Sequence, residues 1–273
     1  MYYDLAILFY ILSFLFLLIN FYFNKPILQT LQTLFTSIAI LANVVQVLVR
    51  WQGMRRISVY ALQDLLMLVT LSLAIVYLLI ILRHKRPYVG FVLLPMISAA
   101  GLFSLFLTPE PVHSNVLASM WLYVHIPLTV IGTAFFMAAF TAGLMFFALE
   151  RKLKAKKFGR MYDRLPPLAV INALSNAALY LGFAFYTAGV FAAAAWMRFK
   201  YHKAMGGVSV SNAFGGSLQN KIILVCVAWV MVAIILFIKN RRGMSSRQAA
   251  LASVIGFAAI ILAYAGVVLF IMR

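Results

Sequence analysis

The sequence predicts an all-α polytopic membrane protein with about eight transmembrane helices in one bundle and both termini outside. Hydrophobic residues make up 65% of its 273 residues and charged residues only 10%, whereas a soluble domain is about half apolar and a quarter charged. A helix needs roughly 20 mostly apolar residues to cross the hydrocarbon core of a bilayer. Eight segments meet this requirement: 4–23, 27–49, 59–82, 88–107, 116–149, 168–197, 221–238 and 249–271.

Turn and charge signals separate these segments. The first segment begins without a basic region or a small-residue cleavage site, so it is predicted to be a retained span and not a signal peptide. Asn, Pro and Gly residues mixed with charges end the first, third, fourth and seventh spans, at 24–26, 83–87, 109–111 and 239–243. Spans five and six are longer than the bilayer is thick, so they are expected to tilt or to project beyond it.

The distribution of Lys and Arg predicts the orientation. The loops after spans one, three, five and seven hold 15 of the 23 Lys and Arg residues, and the opposite side holds eight. The positive-inside rule therefore places those four loops in the cytoplasm and both termini outside. Segment 198–220 then becomes the longest outer loop, and its glycine and polar content predicts a loop that is mobile or shaped by a partner.

The net charge of +18 is explained by orientation and lipid, because the cations cluster between the apolar runs. Such residues meet anionic lipid headgroups, so membrane lipid is an expected partner and nucleic acid is not. The chain has five carboxylates, and no pair of them is placed for acid–base catalysis. Asp64 alone falls within a predicted span. A non-enzymatic protein is therefore expected.

Polar residues line one face of the second span. They recur at steps that place them on a single helical stripe, which lipid would penalise, so the stripe should face the bundle interior or a wet cavity. Hydrogen bonding between helices and a path for a small solute are both compatible with it. The stripe consists of Gln29, Gln32, Thr36, Asn43 and Gln46, and span six repeats the pattern with Asn172, Asn176 and Tyr180.

Histidines predict a ligand site at the outer face. His125 lies near the start of span five, where an unpaired imidazole is costly, so it is a candidate metal ligand. His113 and His202 map to the same side, and histidine is an ordinary axial ligand of haem iron. Trp121 and Trp196 lie at this level and would supply flat walls, although interfacial aromatic belts explain them equally well.

Four segments of the chain resemble, in order, the cytochrome c assembly family of haem-handling membrane proteins, of the CcsA type and the related HemX proteins. They are residues 50–66, 120–157, 164–197 and 220–270. The second segment contains the W-x-x-x-H spacing of the family at Trp121 and His125, followed by a basic exit. The third is similar to the next family helix, which ends in a G-x-x-x-x-x-W pattern.

This resemblance implies a haem site and a cellular location. In CcsA-type members the position of His125 holds an outward-facing axial ligand, which implies haem b at His125 with His113 or His202 opposite. Arg198 and Lys200 would pair with the haem propionates, because planar and ammonium cations suit carboxylates. A single membrane domain over 1–273, with a family-like core at about 50–271, would then serve c-type cytochrome biogenesis in the bacterial cytoplasmic membrane. A second biogenesis membrane protein is the implied partner.

The chain also departs from the family. The tryptophan-rich segment that ends in W-x-W-D-P-K-E should fall at 214–222, where this chain reads FGGSLQNKI, and no second outer histidine follows the final span. These departures imply an alternative: a HemX-like regulatory subunit that acts at the level of glutamyl-tRNA reductase through the basic cytoplasmic loop. A small-solute transporter, based on the polar stripe of span two, is a third hypothesis.

Overall fold

The computed structural model describes residues 2–54, 62–84, 89–107, 120–156, 167–204 and 210–271. Within these ranges the chain forms eight α-helices and no strand, which confirms the predicted all-α class and the order of the eight segments. The helices are α1 (Tyr2–Phe23), α2 (Pro26–Met54), α3 (Leu62–His84), α4 (Gly90–Leu105), α5 (Met120–Lys154), α6 (Leu168–Ala204), α7 (Val210–Arg242) and α8 (Ser246–Ile271).

Among the residues whose side chains are described, six helices contain a segment that is long and apolar enough to cross a membrane, and α4 and α8 contain shorter apolar segments. The chain is therefore a multi-pass membrane protein, as predicted, while its orientation with both termini outside stays a prediction. The backbone divides into two compact units, one that contains α1 to α4 and one that contains α5 to α8. A single domain over 1–273 likewise stays a prediction.

In the first unit, α1 and α2 form a tight helical hairpin. Asn24 takes a left-handed backbone conformation (φ 51°), and its N–H donates to the Asn20 carbonyl at 2.9 Å. Pro26 then starts α2, a position where its missing N–H costs nothing. The rings of Phe16 and Phe35 stack across the hairpin at 5.0 Å. The sequence Asn-Lys-Pro thus reverses the chain within two residues.

The polar stripe of α2 faces the interior of this unit. Gln32, Thr36 and Asn43 are each fully buried. Thr36 shares a 2.7 Å hydroxyl–hydroxyl hydrogen bond with Ser13 on α1, and the Asn43 amide donates to the Thr70 hydroxyl on α3 at 3.2 Å. The prediction of an inward-facing stripe is confirmed, and in the described residues the stripe acts as hydrogen-bonding contact between helices.

A buried ion pair joins α2 to α3. Arg50, expected in an outer loop, lies within α2 because that helix continues to Met54. Its guanidinium pairs with the Asp64 carboxylate, and the two side chains are 15% and 2% exposed. The guanidinium also donates to Gln63 Oε1 at 3.0 Å. Asp64, the one carboxylate predicted within a span, is therefore paired with a cation from the neighbouring helix.

In the second unit, α5 and α6 pack antiparallel with a seven-residue register. Each step of seven residues forward on α5 is matched by seven residues back on α6, the spacing of a left-handed coiled coil. The matched positions are 125 with 189, 132 with 182, and 139 with 175. Small residues on this seam allow the two backbones to approach closely.

The other helices of this unit pack around that pair. A Cβ added at Gly143 of α5 would lie 2.9 Å from the Ala250 carbonyl oxygen of α8, so α8 crosses α5 at close range. Helix α7 contacts α6 through a long side chain: the Trp229 indole N–H on α7 donates to the Thr187 hydroxyl on α6 at 2.8 Å.

The prediction that 198–220 forms a loop is wrong for most of its length. Helix α6 continues to Ala204 and α7 begins at Val210, so only 205–209 lies outside the described residues. An α-helix satisfies its own backbone hydrogen bonds and can therefore extend beyond the apolar segment into a polar environment. Glycines at 215 and 216 weaken a helix by about 1 kcal/mol each and do not by themselves end it.

Candidate functional site

His125 lies five residues after the start of α5 at Met120, and its side chain is partly buried. Its Nδ1 lies 2.7 Å from the carbonyl oxygen of Gly189 on α6. A carbonyl oxygen accepts hydrogen bonds only, so Nδ1 must carry the hydrogen. In the neutral ring the lone pair then belongs to Nε2, the nitrogen that can ligate a metal.

The small size of Gly189 makes this contact possible. A Cβ at Gly189 would lie 2.5 Å from Thr129 Cγ2 and 3.1 Å from the Thr129 backbone nitrogen, so any side chain would push α6 away from α5. The Thr129 hydroxyl in turn donates to the His125 carbonyl at 3.0 Å. The Gly189 carbonyl therefore selects the imidazole tautomer, and Thr129 caps the backbone carbonyl of His125.

The two tryptophans predicted at this site lie on the same pair of helices. Trp121 is on α5, one turn before His125. Trp196 is on α6, seven residues after Gly189, and continues the seven-residue register. Their backbones therefore lie at the His125 end of the helix pair, while their side chains lie outside the described part of the chain.

The predicted cationic and histidine partners lie further along α6 or outside the described residues. Arg198 is exposed and lies nine residues past Gly189, which is about 13 Å along the helix axis. Lys200 and His202 belong to the same helix and not to a loop, and only their backbone is described. His113 lies outside the described residues. The structure therefore places Arg198, Lys200 and His202 on a helical extension of α6.

A single imidazole is the metal-binding element that the described residues offer. Within them no three His, Cys, Asp or Glu side chains come together as a metal cluster. One neutral imidazole would suit a metal that a cofactor such as haem already holds, and it does not suit a free ion that needs several protein ligands.

Sequence reasoning missed Gly189 as the acceptor for the imidazole. The signal was available as a spacing of small residues, because positions 175, 182 and 189 are Ser, Gly and Gly at steps of seven. Position 196 continues the series with Trp. A seven-residue repeat of this kind predicts the face on which two helices meet.

Comparison with known families decides which group of proteins this site belongs to. The family described as Cytochrome C assembly protein matches residues 59–272, well over half of the chain. The chain belongs to the cytochrome c assembly protein family. The matched region begins just before α3 and includes the whole α5–α8 unit. A comparison with curated proteins finds no match. Membership in the family supports a role as a component of cytochrome c biogenesis.

Proposed function

We propose that this protein binds or passes haem near the outer face of the membrane during c-type cytochrome biogenesis, with His125 Nε2 as an axial ligand of the iron. The observation that carries the proposal is the 2.7 Å bond between His125 Nδ1 and the Gly189 carbonyl oxygen. This bond leaves the lone pair on Nε2. It is the arrangement that metal-ligating histidines adopt, with the second ring nitrogen donating to a backbone or carboxylate oxygen.

The position of His125 also suits a haem that enters from the membrane or from its surface. The histidine is partly buried near one end of an apolar span. One side of the imidazole is therefore desolvated, and a ligand can approach the other side. Buried polar groups in a span are costly unless they have a partner, so they are functional hypotheses by default. Haem supplies such a partner through its iron and covers the remaining apolar surface with its ring.

The other predicted contacts belong to this proposal by their place on the helices. Trp121 and Trp196 flank the His125 end of the α5–α6 pair, and Arg198 is exposed beyond it, where a cation would meet a haem propionate. Lys200 would act similarly. His113 and His202 stay as the candidates for the opposite axial ligand.

The proposal stops short of complete haem attachment. Residues 214–222 form part of α7 and read FGGSLQNKI, without the tryptophans of the W-x-W-D-P-K-E pattern. The segment therefore lacks the tryptophans that the family pattern would set against a haem ring, and Phe214 is its one aromatic residue. We accordingly propose binding or transfer of haem, in the bacterial cytoplasmic membrane and together with a second biogenesis membrane protein.

A haem titration of the purified protein tests this proposal. Wild-type protein in detergent should give a Soret band shifted from that of free haemin, and His125→Ala should weaken haem binding at least about tenfold, since even partners of metal ligands change affinity by that much. His84→Ala removes a histidine predicted on the opposite side of the membrane and should bind as the wild type does. Equal binding by all three proteins would show that His125 does not ligate haem.

A further inference from the structure

The four helix ends opposite the His125 end form a defined surface in the second unit. Helices α5 and α7 end there, and α6 and α8 begin there. The Asn172 amide on α6 donates to the Ser246 hydroxyl on α8 at 3.3 Å. Arg247 on α8 lies 3.7 Å from the Glu150 carboxylate on α5. These contacts link the ends of α5, α6 and α8.

This surface, called the basic end below, carries a large excess of positive charge. Among the described residues it has one carboxylate, Glu150, which pairs with Lys154 at 2.8 Å and lies near Arg247. The remaining cations of the last turns of α5 and α7 have no carboxylate opposite them in the described part of the chain. The basic end comprises Arg151, Lys152, Lys154, Lys239, Arg241, Arg242 and Arg247.

Lys239 is held in place within the basic end. Its ammonium donates to the Asn176 side-chain oxygen on α6 and lies 5.3 Å from the centre of the Tyr180 ring. Asn176 and Tyr180, two of the polar residues predicted on span six, thus contact a cation from α7 in the first turns of α6. An ammonium has three N–H donors, and Asn176 takes one of them, so Lys239 is oriented and still able to donate to an oxyanion.

Exposed apolar side chains border the cations on the side of the membrane span. Phe237, Ile238 and Tyr180 are 62%, 40% and 45% exposed, and the Arg241 guanidinium lies 5.6 Å from the centre of the Phe237 ring. These rings belong to segments of membrane-spanning character, Ile223–Arg242 and Leu168–Ala195. A soluble acidic partner could reach the cations, but the rings suit the acyl chains of a lipid.

We propose that the basic end binds an anionic phospholipid, with its phosphate at Lys239 and Arg242 and an acyl chain along Tyr180. The charge excess selects the anionic headgroup, since each Lys or Arg near an anionic membrane surface contributes about 1 kcal/mol. Orientation by the positive-inside rule requires cations here and does not require the Lys239–Asn176 contact or the exposed rings beside it. The proposal does not depend on haem binding.

Native mass spectrometry of the full-length protein in detergent tests the proposal with phosphatidylglycerol and phosphatidylcholine of identical acyl chains. Wild-type protein should bind phosphatidylglycerol at least about tenfold more tightly, since two cations fully engaged with the headgroup would favour it by roughly thirtyfold. Lys239→Gln with Arg242→Gln should remove that preference, and Lys239→Arg with Arg242→Lys should keep it. The matched control, Lys25→Gln with Arg83→Gln, loses two exposed cations outside the basic end and should also keep it.

Three results would overturn the proposal. The first is equal affinity of the wild-type protein for the two lipids. This result needs no variant, so the test stands even if the protein with Lys239→Gln and Arg242→Gln fails to fold. An equal loss in the control pair would assign the preference to net charge and not to a site. Displacement of the lipid at comparable concentrations by glycerol phosphate or by poly-glutamate would assign the surface to a small anion or to a soluble acidic protein.

Discussion

Replacement of Gly132 by Ala should destabilise the α5–α6 pair, and the structure gives the size of the effect. A Cβ at Gly132 would lie 2.7 Å from the backbone nitrogen of Tyr186 and 3.0 Å from the carbonyl oxygen of Gly182. Both atoms belong to the backbone, so neither can rotate away, and the two helices must separate by several tenths of an ångström. Overpacking of this kind costs about 1–3 kcal/mol.

Gly256→Ala on α8 is the matched control within the same unit. A Cβ there would meet Val232 Cγ2 at 3.7 Å and Ile235 at 4.0 Å, which are ordinary contacts. This substitution should stabilise the protein by about 0.4–1 kcal/mol, because alanine restricts the unfolded chain. The two variants should therefore differ by about 1.4–4 kcal/mol in the free energy of unfolding.

Thermal unfolding in a mild detergent, followed by tryptophan fluorescence, measures this difference. At roughly 2–4 °C per kcal/mol for a domain of this size, the Tm of Gly132→Ala should lie about 3–16 °C below that of Gly256→Ala. A Tm of Gly132→Ala equal to or above that of Gly256→Ala would refute the close approach of the two helices.

Three further predictions concern individual contacts. Asp64→Asn leaves the buried Arg50 without its counter-charge and should cost about 3–5 kcal/mol in the free energy of unfolding; a loss below about 1 kcal/mol would show that water reaches the pair. Trp229→Phe keeps the aromatic ring but removes the N–H that bonds to Thr187, so urea unfolding should show a loss of about 0.5–1.5 kcal/mol, and an unchanged midpoint would contradict the bond. Gly189→Ala should lower haem affinity in a titration by about 10–100-fold, because the added Cβ pushes away the carbonyl that orients the imidazole; wild-type affinity would count against that orientation.

Hydropathy and charge predicted the number and order of the helices and the inward face of the α2 stripe. Periods of apolar and polar residues are local properties of a helix, so one sequence suffices to read them. Gln32, Thr36 and Asn43 accordingly lie buried as expected.

The sequence did not predict where helices extend beyond the apolar segments or which helices are neighbours. The predicted loop at 198–220 is largely helical because hydropathy marks the membrane boundary and not the end of a helix. The pairing of Arg50 with Asp64 and the bond of His125 to Gly189 depend on which helices adjoin, a long-range property that no local pattern carries.

The measurement that most directly tests haem ligation by His125 is rescue of a cavity variant by free imidazole. His125→Gly removes the side chain bonded to the Gly189 carbonyl and leaves room for an external imidazole in its place. Haem-loaded His125→Gly should lose the wild-type Soret band and regain it when imidazole is added, while His84→Gly should keep the band throughout. An unchanged wild-type spectrum in His125→Gly without imidazole would contradict the assignment of His125 as the iron ligand.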